Sequence, residues 1–506
     1  MVTLPSVIAA QGTLRAEDLR VGSEEERYLR ALSVLAPSLD AIWTIRPVAG
    51  DRMLASLAGV PGPWPLDTSH RALGVRGASA DLTFNSGRPF SRADGPAWAG
   101  KGASLRASGV LEGRRGILRV RLAPMLWGAE NAAFTLVPTA GPFPYSDAAA
   151  PWSIDLPQRF GDQSLARLEP GESSIALQWT HARVAFTTAA AQLGSGSDHS
   201  LLLQGDGGGF PRLEAGFPSG IRTRLGVIAG QAGWGRNPQT AWAPTRRTGA
   251  LYSSYVVGTW RPPVGDRIEL GVARFFHRDW NDIRLRDLLV PFGSIHTAKW
   301  VGGKVVADNQ LGSIFARLRV PEAGLEFFGE FGKNDRSRDL RDQAVELEHN
   351  AAWLLGAQKV WRDARERLWA MNITAVSGSI SPITRFRPQA FFYEHGPLAQ
   401  GHTVRGQLLG TPLLQREGGG ELRIDRYDAA GRVGLVLRTR ALPNERAESI
   451  APENVRQEWS AVLEWMRWTR TGAWSARVGG VADMGHSPTT GDAYGLHLGL
   501  GYAVRR

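Results

Sequence analysis

Ten histidines and no cysteine set the limits on chemistry in this 506-residue chain. Without a thiol there is no disulfide framework, no thiolate metal site and no cysteine nucleophile. The histidines are scattered, and none forms the two-His helical pair that grips zinc. The tightest acid–imidazole group, Glu394, His395 and His402, falls at an expected short turn, where a satisfied surface histidine is a plainer reading than a ligand. Gly194-Ser195-Gly196-Ser197-Asp198-His199 carries hydrolase residue types without the strand-to-helix elbow that presents a nucleophile, and it reads as a flexible loop. Gly207 to Gly209, between Asp206 and Phe210, is glycine-rich, but no Lys-Ser/Thr and no helical pattern follow, so a phosphate cradle is not expected. Asp339 and Asp342 sit in a mixed-charge run that reads as a solvated loop. Nucleophile, base and orienting group nowhere come together, so the sequence points away from an enzyme and calls for no cofactor and no metal.

Binding is the better prospect. A net charge of +11 suits an anionic partner: nucleic acid, lipopolysaccharide phosphate or an acidic glycan. Nucleic acid fits poorly, because the basic residues are spread along the chain instead of gathered on one stripe or recognition helix. The densest patch spans 231–248, where Trp234, Arg236, Asn237, Gln239, Trp242, Arg246 and Arg247 occur without one acidic residue. Two readings fit it. In one, this is an external loop whose tryptophans stack on sugar rings while arginines grip uronate or phosphate groups. In the other, it is an interfacial tryptophan girdle with arginines meeting lipopolysaccharide phosphates.

The elements that must carry these residues are mostly strands. Sixty Gly, 30 Pro, 18 Trp and 18 Phe suit many short strands joined by tight turns. Ser23 and Glu26 form a capping box ahead of Tyr28, Leu29, Leu32 and Leu35 at helical spacing, which predicts a short amphipathic helix whose stripe packs on the mouth of a barrel. From about residue 80 the period changes to two. Tyr494, Leu496, Leu498, Leu500, Tyr502 and Val504 share one face, and Gly495, His497, Gly499, Gly501 and Ala503 the other. That is the pattern of a strand between lipid and a wet lumen, with aromatic residues near the interfaces. Leu118, Val120 and Leu122 alternate with Arg119 and Arg121, and Ile314, Ala316, Leu318 and Val320 with Arg317 and Arg319. These four arginines are expected to face the lumen. A soluble sandwich that turns them to water reads the same strands differently.

Connection lengths favour the barrel. From residue 249 the breaks 261–266, 321–324, 361–367, 427–432 and 469–472 are short, and 277–309, 332–350, 377–388, 440–455 and 483–493 are long. Short periplasmic turns alternating with long external loops are the rhythm of outer-membrane barrels, and the alternation puts the C-terminus on the periplasmic side. The expectation is an all-β transmembrane antiparallel barrel of roughly sixteen to eighteen strands. A helical, periplasmic segment occupies 1–60 and the barrel 61–506. No apolar run of about 18 residues exists to cross a bilayer as a helix. Residues 1–12 show no export signal, which suggests a truncated or misassigned start for a protein of the outer membrane.

Taken in order along the chain, several pieces resemble the Wzi-type capsule-assembly proteins of Gram-negative outer membranes. They are His199-Ser-Leu-Leu-Leu-Gln204 with Phe210-Pro211, Arg261-Pro262 with Glu269-Leu-Gly-Val-Ala-Arg274, Asp308-Asn-Gln-Leu-Gly312, Leu355-Gly356, and the stretch 393–410. The family's Ser-Asn-Asn-Ala is replaced by Gln204-Gly-Asp-Gly-Gly-Gly209, so its ligand contacts do not carry over. The resemblance implies an eighteen-stranded barrel with a helical part at its periplasmic end, acting as a surface lectin that anchors capsular polysaccharide. An alternative from the arginine-bearing inward faces is a porin-like diffusion channel.

Overall fold

The computed structural model describes residues 14–505 except 37, 40, 58–62, 65, 67–72, 92–93, 141–142, 241–249, 264–266, 293–299, 302–303, 306–307, 335–339, 379–390, 443–455 and 488–490. Among the described residues, eighteen strands close into one antiparallel barrel. They are β1 Gly74–Asn85, β2 Gly102–Arg115, β3 Leu118–Leu122 resumed as Met125–Ala129, β4 Leu165–Glu169 resumed as Ser174–Gln178, β5 Arg183–Thr187, β6 Arg212–Thr223, β7 Gly226–Pro238, β8 Ala250–Arg261 and β9 Ile268–Asp279. The circuit continues with β10 Asp308–Val320, β11 Leu325–Asn334, β12 Ala351–Arg362, β13 Leu368–Gly378, β14 Gly418–Asp428, β15 Gly431–Leu442, β16 Arg456–Thr469, β17 Gly472–Ser487 and β18 Gly491–Arg505. Each strand pairs with its neighbour in sequence, and β18 closes on β1 with Gly77 opposite Arg505. Closure leaves no edge, as a bilayer requires.

Short and long connections alternate as expected. Turns such as 116–117, 224–225, 321–324, 429–430 and 470–471 lie at one end, and connections such as 130–164, 280–307 and 379–417 at the other. Two breaks differ from expectation: 377–388 widens to the connection 379–417, and 483–493, expected to be a long loop, is not one. There β17 and β18 run on past a register shift between Asp483 and Ser487 and leave only 488–490 between them. The bulge lets the strands twist and continue beyond the regular ladder.

The two faces settle the sandwich alternative. Leu318 is 41% exposed and Leu500 54%, while Arg317 and Arg319 are 1% and 2% exposed and His497 7%. The leucines face out and the arginines are buried, the reverse of a soluble sheet and the order that lipid demands. Exposed aromatics ring both ends: Trp260, Trp465 and Trp474 near the short turns, and Trp353, Trp459 and Tyr494 near the long connections. Their amphipathic rings suit the two bilayer interfaces.

The inward arginines do not stand alone in the lumen. The register sets Arg317 opposite Glu269 and Arg319 opposite Glu326, and Arg317 holds Glu269 at 3.1 Å and Glu326 at 2.5 Å. Cross-strand carboxylates make the buried Arg317 tolerable, and Arg319 donates to the Ser33 carbonyl at 3.0 Å.

The helix predicted after Ser23 is α1, Glu24–Leu35, with the Ser23 hydroxyl accepting from the Glu26 amide at 3.3 Å. The reciprocal half of the capping box is not made, because the Glu26 carboxylate takes Arg46 and the Gly22 amide instead. The apolar stripe of α1 packs where the sequence suggested. Tyr28, Leu29, Leu32 and Val34 join Val360, Leu368, Tyr427 and Trp468 around the short-turn mouth, with Tyr28 edge-on to Trp64 at 5.4 Å and Tyr427 at 5.3 Å. A second helix, α2, spans Gly50–Ser56.

Candidate functional site

Three connections from the long-loop end turn inward and fill much of the lumen. Ile154 and Leu156, Leu201 to Leu203, and Phe392, Tyr393, Leu408, Leu409, Leu413 and Leu414 are buried with Tyr255, Phe275, Phe315, Phe328 and Leu354 of the wall. A plug segment keeps its place only if its backbone polar groups find partners on the wall. Backbone and side-chain groups of the plug do so from β7 round to β15. The Asn237 amide of β7 donates to the Thr403 carbonyl at 2.8 Å. Glu330 of β11 accepts from the amides of Ser195 and Leu201, both at 2.9 Å. Asn372 of β13 donates to Asp198 at 2.7 Å, and Glu421 of β14 lies 3.3 Å from His199. Arg440 of β15 donates to the Pro412 carbonyl at 3.2 Å. These contacts reach opposite sides of the barrel and tie the plug across it.

One link is an imidazole chain. The Nε2 of His402 faces the Leu202 carbonyl at 2.5 Å, so it carries a proton there. Its Nδ1 then accepts from Nε2 of His277 at 2.8 Å, and Nδ1 of His277 accepts from the Ser253 hydroxyl at 2.8 Å. Burial holds His402 down to about 4, so its ring is neutral and keeps this bonding near pH 7. The group Glu394, His395, His402 is therefore buried within the inward-turning connection and not at a surface turn. Gly194 to His199 likewise is no flexible loop. Ser195, His199 and Ser200 are at most 2% exposed. Gly194 has φ 134°, and a Cβ there would run into the Glu330 carboxylate.

The plug connections also carry one exposed indole and a largely buried ion pair. Trp152 is 51% exposed; the hydroxyl of the adjoining Ser153 donates to Glu394 at 2.8 Å. Arg416 also pairs with Glu394, donates to the Ala149 carbonyl at 2.6 Å, and lies over the Phe391 ring at 4.2 Å. Burial raises the Glu394 pKa against the opposing pull of Arg416. An exposed indole, on a connection whose next residue is tied to a guanidinium–carboxylate pair, offers a ring face of the kind that holds a sugar.

The residues singled out from sequence are distributed differently. Trp234, Arg236 and Asn237 belong to β7, not to a loop. The Trp234 indole donates to the Leu288 carbonyl at 2.8 Å, the exposed Arg236 lies 5.9 Å from the Trp280 ring, and Asn237 is fully buried under the plug. Trp242, Arg246 and Arg247 lie outside the described residues. Arg119 meets Asp51 at 3.4 Å and Arg121 meets Glu112, both toward the short-turn end. Trp152, Phe391 and Arg416 went unnoticed because each looks like an ordinary loop residue alone. The available signal was the run Leu201-Leu202-Leu203 just after the segment read as a flexible loop, with Leu413-Leu414 beyond the expected break 377–388.

No protein-family model and no curated protein matches the chain by sequence. Solved structures do match. OccK7 (OpdD) of Pseudomonas aeruginosa is 11% identical over 85% of this chain and 98% of its own, with a TM-score of 0.42. OccAB3 of Acinetobacter baumannii is 10% identical over 84% and 98%, with a TM-score of 0.40. Wzi of Escherichia coli, an outer-membrane protein involved in group 1 capsule assembly and described as a carbohydrate-binding β-barrel, is 13% identical over 96% of this chain and 98% of its own, with a TM-score of 0.62. The resemblance read from scattered residues is thus met at the level of the whole fold: this chain is a Wzi-like eighteen-stranded barrel.

Proposed function

We propose that this protein is a non-catalytic outer-membrane barrel that binds surface polysaccharide and assists capsule attachment, with its long connections outside the cell and its short turns in the periplasm. The observation that carries the reading is the plug. Wall side chains from β7 to β15 hold its backbone across the lumen, and the exposed Trp152 stands on one of its connections. A diffusion channel gains nothing from leucines packed across its bore, whereas a surface receptor gains a rigid floor for its binding loops. The likeness to the carbohydrate-binding barrel Wzi supports the same reading. Acidic capsular chains suit the basic surface, and lipopolysaccharide is the natural neighbour of the outer girdle. Deletion of the gene is expected to release capsule from cells while leaving its secretion intact; unchanged attachment refutes the proposal. In planar bilayers the purified protein is expected to stay silent, and steady anion-selective conductance would restore the porin reading.

A further inference from the structure

Beside the packed plug, at the short-turn end, the lumen keeps a cavity of about 680 Å³ lined by inner faces of β2 to β7 and by parts of 16–20 and 47–52. The turn residues Gly116, Ile117 and Trp179 lie at its mouth, and Ala189 and Ala190 of the plug close its inner end. Ligand sites commonly span roughly 300–1,000 Å³. Arg20, Arg52, Arg114, Arg119, Arg121 and Arg183 line it, with Arg212 at the inner end, against the carboxylates of Asp51, Glu172 and Glu214. Glu112 stands behind Arg121. Seven arginines against four carboxylates leave an excess of three positive charges.

The carboxylates are shared or engaged elsewhere. The half-exposed Asp51 meets both Arg114 at 3.1 Å and Arg119 at 3.4 Å. Glu214 meets both Arg183 and Arg212 at 2.8 Å. Glu172 is held by the Ala190 backbone amide at 3.1 and 3.3 Å. Guanidinium forks crowded in this way, between low-dielectric walls that focus their field, favour an entering anion. The exposed Trp179 indole at the mouth adds a face for a sugar ring.

We propose that this cavity is a second binding site, open to the periplasm, for a short acidic oligosaccharide whose carboxylates are gripped by Arg114 and Arg119. It lies at the opposite end from Trp152, so either site can fail without the other. Calorimetry on the full-length protein in detergent tests it with trigalacturonate, neutral maltotriose and inorganic tripolyphosphate. Trigalacturonate is expected to bind, more weakly as salt rises, and maltotriose not to bind. Arg114→Gln with Arg119→Gln is expected to weaken trigalacturonate at least about tenfold, and Asp51→Asn, which removes the competing carboxylate, to tighten it. Trp152→Ala is expected to leave this affinity unchanged. Heat-modifiable gel mobility verifies that each variant is folded, and the gain expected of Asp51→Asn stands independently should the double variant not fold. Absence of trigalacturonate binding, or binding indifferent to the cavity substitutions, overturns the proposal. Tripolyphosphate binding alone makes the site one for phosphate and overturns the saccharide assignment.

Discussion

Arg46 joins the N-terminal part to the plug, and its removal gives a direct measure of what that joint contributes. Its Nε and Nη2 meet the two oxygens of Glu26 at 2.7 Å each, and its Nη1 donates to the Ser197 carbonyl at 2.6 Å. Both side chains are nearly inaccessible, 5% exposed for Arg46 and 0% for Glu26. In Arg46→Ala the Glu26 carboxylate keeps the Gly22 amide, at 2.8 Å, but loses its guanidinium, and the Ser197 carbonyl loses this donor. Leaving one partner of a buried pair uncompensated costs about 3–5 kcal/mol. At 1.4 kcal/mol per decade, local opening of the plug rises by roughly two to three and a half orders of magnitude. Native-state hydrogen exchange followed by mass spectrometry reads this on the peptide 194–204, with the β16 peptide 457–468 as an internal standard. Loss of protection confined to the first peptide is expected. Replacing both partners, Glu26→Leu with Arg46→Met, is expected to recover much of it, because no buried charge is then left alone. Unchanged protection in Arg46→Ala, or equal loss in both peptides, refutes the idea that this pair holds the plug locally.

Other outcomes follow from the same geometry. Leu355→Arg places a cation on the lipid face of β12 and is expected to lower folding stability in bilayers by about 2–4 kcal/mol, measured by reversible denaturant titration in liposomes. Lowering the pH is expected to loosen the link between His402 and His277. The His402 ring is held down to about 4, so a released plug with an ordinary value near 6.5 binds the proton more readily. The contribution is whole above about 6.5 and fades on descent toward 4, by about 3 kcal/mol in all. Plug exchange followed against pH checks this, and His402→Asn is expected to flatten the dependence. Gly194→Ala forces a side chain onto the Glu330 carboxylate at a positive φ, and is expected to raise plug exchange while heat-modifiable mobility survives.

The barrel was legible in the sequence because its signal is local and repeated. Leu496, Leu498 and Leu500 against His497 state the face of β18 by themselves, and fixed turn lengths state which end is which. Helix α1 was legible for the same reason, from Ser23 and its i, i+3, i+4 stripe. The plug was not. Its order comes from non-local partners such as Glu330 with Leu201, and Asn237 with Thr403, which leave no period in the segment itself. The arginines were seen to face inward, but their state depends on cross-strand neighbours. Arg317 is defined by Glu269 and Glu326, and a strand read alone does not disclose the residue opposite. The site suffers most, since Ser153 and Arg416 come from connections far apart in the chain and are joined only through Glu394 in the folded plug.

The seam between β1 and β18 bears on how such a molecule is made. It pairs Gly77 with Arg505, so the ring shuts only when the last strand has been synthesised and delivered. By then the plug must be indoors. Leu201 is bonded through its carbonyl to the Tyr393 hydroxyl at 2.8 Å, and Leu409 through its carbonyl to the Gln204 amide at 2.7 Å, so the two inward segments interlock with one another as well as with the wall. Threading them afterwards through a hoop of continuous hydrogen bonds would mean breaking those contacts in a bore too narrow to rearrange them. A container that closes on its own two ends therefore favours contents that are already in place: if the inward segments gather on the open sheet, meeting of the first and last strands is left as the contact of longest sequence separation, the kind whose closure costs most.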